Sequence, residues 1–116
     1  MKLSLWALSL AAILLVIASS AADAQDGLVH AMHESMAQMH AAMDRVSSTG
    51  DPDHDFALMM IPHHQGAIDM AKVELLYGKD PVMRRLAQEI IADQQSEIDA
   101  MRLQLSKTSG QARKKN

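Results

Sequence analysis

The chain contains no cysteine, so neither disulfide bonds nor thiolate metal ligands are available to it. Aromatic residues are almost as scarce, with one Trp, one Tyr and one Phe in 116 residues. A core without large rings has to be filled by aliphatic side chains and methionine, and methionine specifies a core poorly because its side chain is flexible. A chain of this length has room for one domain at most.

A surplus of basic residues is also absent. Lys and Arg number 11 against 14 Asp and Glu, which gives a formal net charge of −3. This balance does not favour a nucleic-acid partner, because such partners are usually bound by basic patches. No nucleophile–base pair and no c-type haem motif can be recognised in the sequence, so the sequence predicts a protein that is not an enzyme.

The N-terminal segment has the pattern of an export signal. Lys2 precedes an apolar run without charge over residues 3–18, and a small-x-small sequence ends at Ala24. We therefore expect residues 1–24 to be a secretory signal peptide, cut after Ala24, and the mature protein to be periplasmic or secreted. The run is shorter than the roughly 20 residues of a spanning helix, so an uncleaved membrane anchor is the weaker alternative.

The rest of the sequence predicts an all-α fold with three helices and no strand. Methionines recur along the first helix, residues 27–46, at spacings of four, three and four, which is one continuous helical stripe. The second helix is expected to begin at residue 53 or 55 and to end at residue 77. The third covers residues 81–105, where Asp80 suits the N-cap and Pro81 the first helical position.

Short connections between these helices predict a small antiparallel helical bundle. Residues 25–106 are expected to form one helical domain that binds a metal ion. Residues 107–116 are polar and basic without periodicity, which predicts a disordered tail. Three helices leave one face open, and a second copy in a homodimer could cover it.

Soft metal ligands surround a proline in the second helix. Met60 precedes His63 by three residues and His64 by four, so its sulfur can approach either ring. Met70 lies on the same face of the helix. Pro62 lacks an N–H and is expected to kink the helix, which would aim the ligands of this turn.

The first helix adds further candidates. His33, Met36 and His40 follow one another at spacings of three and four, and Met39 belongs to the methionine stripe. Antiparallel folding about the loop that follows is expected to bring Met39 level with Met60. These four residues of the first helix are candidate ligands on spacing alone.

Folding about Gly78 is expected to set Glu97 near Met60 and Met101 near Phe56. Thioether and imidazole ligands together suit copper, and several thioethers favour Cu(I) over hard cations. Mg²⁺ and Ca²⁺ require oxygen cages, and zinc gains little from methionine. The three helices together therefore predict a copper site, most simply for Cu(I).

A competing interpretation is that the methionines only fill space. A methionine stripe is more often core than cofactor site, and a single histidine on an apolar face is usually a hydrogen-bonded group. The alternative function is therefore a Met-rich interaction or oligomerisation module with incidental metal binding. Metal binding is favoured by the combination of six His and ten Met with so few aromatic residues.

The stretch 53–71 resembles the CopM-type copper metallochaperones, a bacterial family long catalogued only as a domain of unknown function. The family pattern M-x-x-H-H-x-x-A-x-x-M-A is met in full, by Met60, His63, His64, Ala67, Met70 and Ala71. Downstream, the run 77–81 and the pair Glu97 and Met101 also match. The resemblance covers residues 53–105.

This resemblance implies a ferritin-like bundle, exported to the periplasm, that buffers or hands on Cu(I) in copper homeostasis or resistance. Its partner would be a copper transporter or another copper protein. The resemblance implies five ligands: Met60, His63, His64, Met70 and Met101. It does not imply iron chemistry, because no Glu-x-x-His pair of the di-iron bundles occurs in the sequence.

Overall fold

The computed structural model describes residues 5–114, with side chains described for Asp23 and residues 25–109. It consists of three α-helices, and the part of the chain that it describes contains no strand, which confirms the predicted all-α fold. The helices are α1 (Leu5–Met43), α2 (Pro52–Tyr77) and α3 (Pro81–Lys114).

The middle helix, α2, packs against both of the others, whereas α1 and α3 do not pack on each other within the described residues. Two glycines bring α1 and α2 together. A Cβ built on Gly66 would lie 2.6 Å from the sulfur of Met39, and one built on Gly27 would lie 3.0 Å from the hydroxyl of Tyr77. Hydrogen at Gly66 therefore permits an approach that a larger residue would disturb, whereas at Gly27 the neighbouring Tyr77 would have to move by only a few tenths of an ångström.

The contacts between α2 and α3 begin at their short connection. The guanidinium of Arg84 donates to the carbonyl of Leu75 at 2.6 Å and to that of Gly78 at 2.9 Å. Further from the connection, His64 of α2 hydrogen-bonds Glu97 of α3. The paired positions move backwards along α2 as they move forwards along α3, which is the order expected of a helical hairpin.

Carboxylate caps fix the beginnings of two helices. Asp80 accepts from the backbone N–H of Val82 at 2.8 Å and of Met83 at 2.9 Å, which confirms the predicted N-cap of α3. The carboxylate of Asp51 caps α2 in the same way. Because of that cap α2 begins at Pro52, slightly earlier than the sequence predicted.

Two helices extend beyond their predicted bounds. The first predicted helix, 27–46, corresponds to the C-terminal part of α1, which ends at Met43 and passes through the predicted cleavage position at Ala24. Helix α3 continues to Lys114 and so includes most of the segment 107–116, for which disorder stays a prediction. Residues 115–116 lie outside the described part.

The predicted signal peptide covers residues 1–24, and most of their side chains lie outside the described part. Among the residues that were described, no helix has a stretch both long and apolar enough to cross a membrane.

The hydrophobic core is narrow and consists of alanine and β-branched residues in equal number. Ile98 is the largest fully buried side chain among those described. Phe56, by contrast, is 62% exposed, and Met83 and Leu86 are also exposed on the side where α2 meets α3. The buried hydrophobic residues are Ala57, Ile68, Ala71, Val73, Ala87 and Ile98.

The connection between α1 and α2 is organised by one carboxylate. Asp55 accepts from the hydroxyl of Ser48 at 2.5 Å and from the hydroxyl and backbone N–H of Thr49 at 2.6 and 2.7 Å. These hydrogen bonds, that of Ser48 first, hold the pKa of Asp55 well below its usual range. Gly50 reverses the chain beside them with a φ of 85°, which L side chains rarely adopt.

We predict that Gly66→Ala lowers the free energy of unfolding by up to about 2 kcal/mol. The added methyl meets Cβ and Cγ of Met39, not just the end of that side chain. Overpacking lowers the free energy of unfolding by about 1–3 kcal/mol, and the higher helix propensity of alanine offsets about 1 kcal/mol of this loss. Urea unfolding measures the change. In a Met39→Gly background, which removes Cβ as well as Cγ and the sulfur, the same substitution should be neutral or stabilising, and an equal loss in both backgrounds would contradict the contact.

Asp55→Asn should destabilise the protein at neutral pH and lose this effect in acid. A carboxyl group with a lowered folded-state pKa contributes stability above its unfolded pKa of about 3.9, and this contribution is lost as the pH falls through the folded-state pKa. The difference between wild type and variant should therefore narrow as the pH falls below about 4. Urea unfolding across the pH range measures it, with Asp53→Asn as the control. A difference independent of pH would contradict this account.

Candidate metal site

Helices α2 and α3 form a cleft of about 470 Å³ that is lined by soft and polar side chains. Met60 and His64 are one turn apart on α2, and Glu97 and Met101 are one turn apart on α3, so each helix presents two of these groups on one face. Two thioethers, an imidazole and a carboxylate are thereby brought together. The lining residues are Phe56, Met60, His64, Glu97, Ala100 and Met101.

His64 is the buried group of this cleft. It is 8% exposed, and its Nε2 lies 2.6 Å from a carboxylate oxygen of Glu97. An ionised carboxylate only accepts hydrogen bonds, so Nε2 carries the hydrogen and donates it. In the neutral imidazole this assignment leaves Nδ1 with a lone pair, and Nδ1 is buried without a hydrogen-bond partner among the described residues.

This pattern is the one that metal-binding histidines show. Such a histidine usually donates the N–H of one ring nitrogen to a carboxylate or carbonyl, which fixes the tautomer and orients the ring, while the other nitrogen binds the metal. A buried polar atom without a partner is unfavourable, and a ligand on Nδ1 would remove that penalty. The thioethers of Met60 and Met101 line the same cleft.

The candidate ligands of this turn lie in helical backbone and not in a loop. Helix α2 continues through Pro62 as one element, and the kink expected there stays a prediction. Pro62 lines a groove on the α1 side of the helix, together with Met39 and Gly66. The one-turn spacing of Met60 and His64 is therefore that of an ordinary α-helix.

Two further predicted ligands on α2 lie beside the cleft and do not line it. His63 is exposed, and its ring stands edge-on to that of His64 with 5.9 Å between the ring centroids. Met70 lines a neighbouring apolar cleft of about 280 Å³, where Met83 and Leu86 of α3 also lie. The structure therefore brings Met60, His64 and Met101 together and places the other two at the margin.

The four predicted ligands on α1 do not line this cleft. Met39 packs with its sulfur against Gly66, on the face of α2 that meets α1. Met36 is half-buried, and the rings of His33 and His40 are exposed.

The observed register differs from the expected one by nearly two helical turns between α1 and α2, and by about one turn between α2 and α3. Met39 lies opposite Gly66 and not Met60, and Glu97 lies opposite His64 and not Met60. The expectation placed the turning points at loop glycines, whereas close packing between the helices sets the register. The contact between His64 and Glu97 was consequently missed, although the equal one-turn spacings of Met60 with His64 and of Glu97 with Met101 could have indicated it.

No group of three or more His, Asp or Glu side chains is arranged to hold a metal ion in the described part of the chain. The donor set of the cleft mixes thioether sulfur and imidazole nitrogen instead.

Comparison with known proteins places the chain in a family. Residues 10–105 match the family described as "Domain of unknown function (DUF305)". An uncharacterized protein, L153, of Acanthamoeba polyphaga mimivirus is 45% identical over 49 residues, a match that covers 42% of this chain and 32% of the viral protein. The chain thus spans about a third of the length of this curated relative. The family match extends over most of the chain, which is therefore a member of the DUF305 family.

Proposed function

We propose that this protein binds Cu(I) in the cleft between α2 and α3, and that it buffers or hands on the ion without catalysing a reaction. The observation that carries the proposal is the buried His64. Its Nδ1 has no hydrogen-bond partner among the described residues, and the residue lines a cleft together with Met60 and Met101. Thioethers with an imidazole are the donor set that selects a soft monovalent copper ion.

Each residue of the cleft has a separate role in this proposal. The sulfurs of Met60 and Met101 and the Nδ1 of His64 bind the ion. Glu97 is a positioning residue, because its carboxylate is engaged by Nε2 of the imidazole. The cleft does not supply the oxygen cage that Mg²⁺ or Ca²⁺ would require.

The exposure of the cleft suits transfer of the ion. The side chain of Glu97 is 59% exposed, and Phe56 stands largely in solvent at the same cleft. The mouth of the cleft is therefore open to solvent, whereas Nδ1 of His64 itself is buried. His63, exposed beside His64, offers a second imidazole at the margin through which the ion would pass to a copper transporter or another copper protein.

The resemblance to the CopM-type metallochaperones supports the same function. It adds three proposals: a ferritin-like arrangement of the helices, a periplasmic or secreted location after removal of residues 1–24, and a role in copper homeostasis or resistance. It also adds His63 and Met70 to the proposed ligand set, because both belong to the motif.

A second candidate function is an interaction or oligomerisation module. It is favoured by the exposed apolar side chains of Met83 and Leu86, which lie together beside Met70, since contiguous apolar surface often marks a contact with another protein. A homodimer through this surface would form equally well in metal-free buffer, and copper would then bind weakly.

Replacing both methionines of the cleft, Met60→Ala with Met101→Ala, should lower the Cu(I) affinity by more than about 100-fold. Loss of an outer hydrogen-bond partner of a metal ligand already costs about 10–100-fold, and direct ligands contribute more. Anaerobic titration against a chromophoric Cu(I) chelator measures the affinity of each protein.

The matched control is Met59→Ala with Met83→Ala, which removes two methionines outside this cleft and should leave the affinity close to that of the wild type. Equal affinities for wild type and the cleft variant would contradict the site. Weak copper binding by the wild type, with the same oligomeric state in the presence and absence of copper, would favour the interaction module.

A further inference from the structure

We infer that α1 carries a second site for a soft monovalent metal ion, formed by Met36, His40 and Met43. The three residues stand at spacings of four and three, so each lies one helical turn from the next. This site goes beyond the function proposed above, because none of the described α1 side chains lines the α2–α3 cleft.

The position of Met39 shows where this row lies on α1. Met39 packs against Gly66 and so marks the face of α1 that meets α2. With about 100° between successive residues, the row falls within an arc of about 60°, beside that face and not at its centre. His40 is exposed accordingly, whereas Met36 and Met43 are half-buried.

Side-chain direction brings the three donors towards one another. Side chains on a helix lean towards its N-terminus, so the ring of His40 leans towards Met36, and the side chain of Met43 leans towards His40. Methionine has three rotatable bonds, which lets its sulfur close on a ligand from either side. The side-chain hydrogen bonds within this part of α1 are made by Ser35 and Gln38 and do not engage His40.

The end of the helix favours a cation at this place. Helix α1 ends at Met43, and His40 is the basic residue of its last turn. The C-terminal end of a helix carries a partial negative charge, which stabilises a positive group bound in the last turn. Two thioethers and one imidazole then select a soft ion over a hard one.

Packing against α2 does not account for the row. It accounts for Met39, but it does not require an exposed imidazole between two methionines. Because the ring of His40 is exposed and that of His64 is buried, the α1 site should exchange its ion with solvent more readily than the cleft.

Titration of the full chain with Ag(I), a closed-shell monovalent ion, tests the inference. Methionine methyl groups labelled with ¹³C report each sulfur separately in NMR spectra. We expect the methyl signals of Met36 and Met43 to shift together on addition of Ag(I). His40→Ala should abolish these shifts and remove one bound ion, while the shifts of Met60 and Met101 persist. His30→Ala is the control, because His30 is an exposed α1 histidine outside the row.

Methyl signals of Met36 and Met43 that do not respond to Ag(I), or that still respond in His40→Ala, would overturn the second site. The same holds if their response disappears in the Met60→Ala, Met101→Ala variant, since a single shared site would then explain both. A wild type in which only the signals of Met36 and Met43 respond would instead retain the α1 site and refute the cleft.

Discussion

The hydrogen bond between His64 and Glu97 is the interaction on which this account of the molecule depends. It joins α2 to α3 at 2.6 Å and holds a buried imidazole in one tautomer. The same bond leaves Nδ1 without a partner among the described residues, in a cleft with two thioethers. In the proposed function, the contact that joins the two helices therefore also positions the ligand.

The narrow core explains why soft ligands can lie so close to solvent. Small residues at the contacts, such as Gly66, Ala71 and Ala87, let the helices approach closely but bury little apolar area. A core of this size contributes only modest stability by itself. An ion that binds the folded state alone would add to that stability, which couples the folding of the cleft to its occupancy.

The methionines, which the sequence presents as one uniform feature, fall into different structural classes. Met39 fills the space above Gly66 and acts in packing. Met60 and Met101 line the cleft beside a buried histidine. Met70 lies among apolar side chains, where a sulfur has no nitrogen donor from the neighbouring helix. The environment of each sulfur separates these roles.

Local features of the fold could be predicted from the sequence, and long-range features could not. The cap at Asp80 is local, since a carboxylate, a proline and the following N–H groups suffice to define it. The pairing of Glu97 with His64 depends on how far α3 slides along α2, and loop positions do not determine that distance. Short loops likewise fix which helices are consecutive, but not that α1 and α3 stay apart on opposite sides of α2.

The candidate site shows the same division. Met60 and His64 could be recognised as one face of a helix from their spacing alone. The role of Glu97 and the separation of His33, Met36 and His40 from the cleft required the packing of three helices to be known.

The measurement that tests the central claim most directly is ¹⁵N NMR of the His64 ring during titration with Cu(I). The account predicts a hydrogen on Nε2 and none on Nδ1 in the metal-free protein, with the Nδ1 resonance shifting on copper binding while the Nε2 hydrogen is retained. An Nδ1 that carries a hydrogen throughout, or that does not respond to copper, would contradict it.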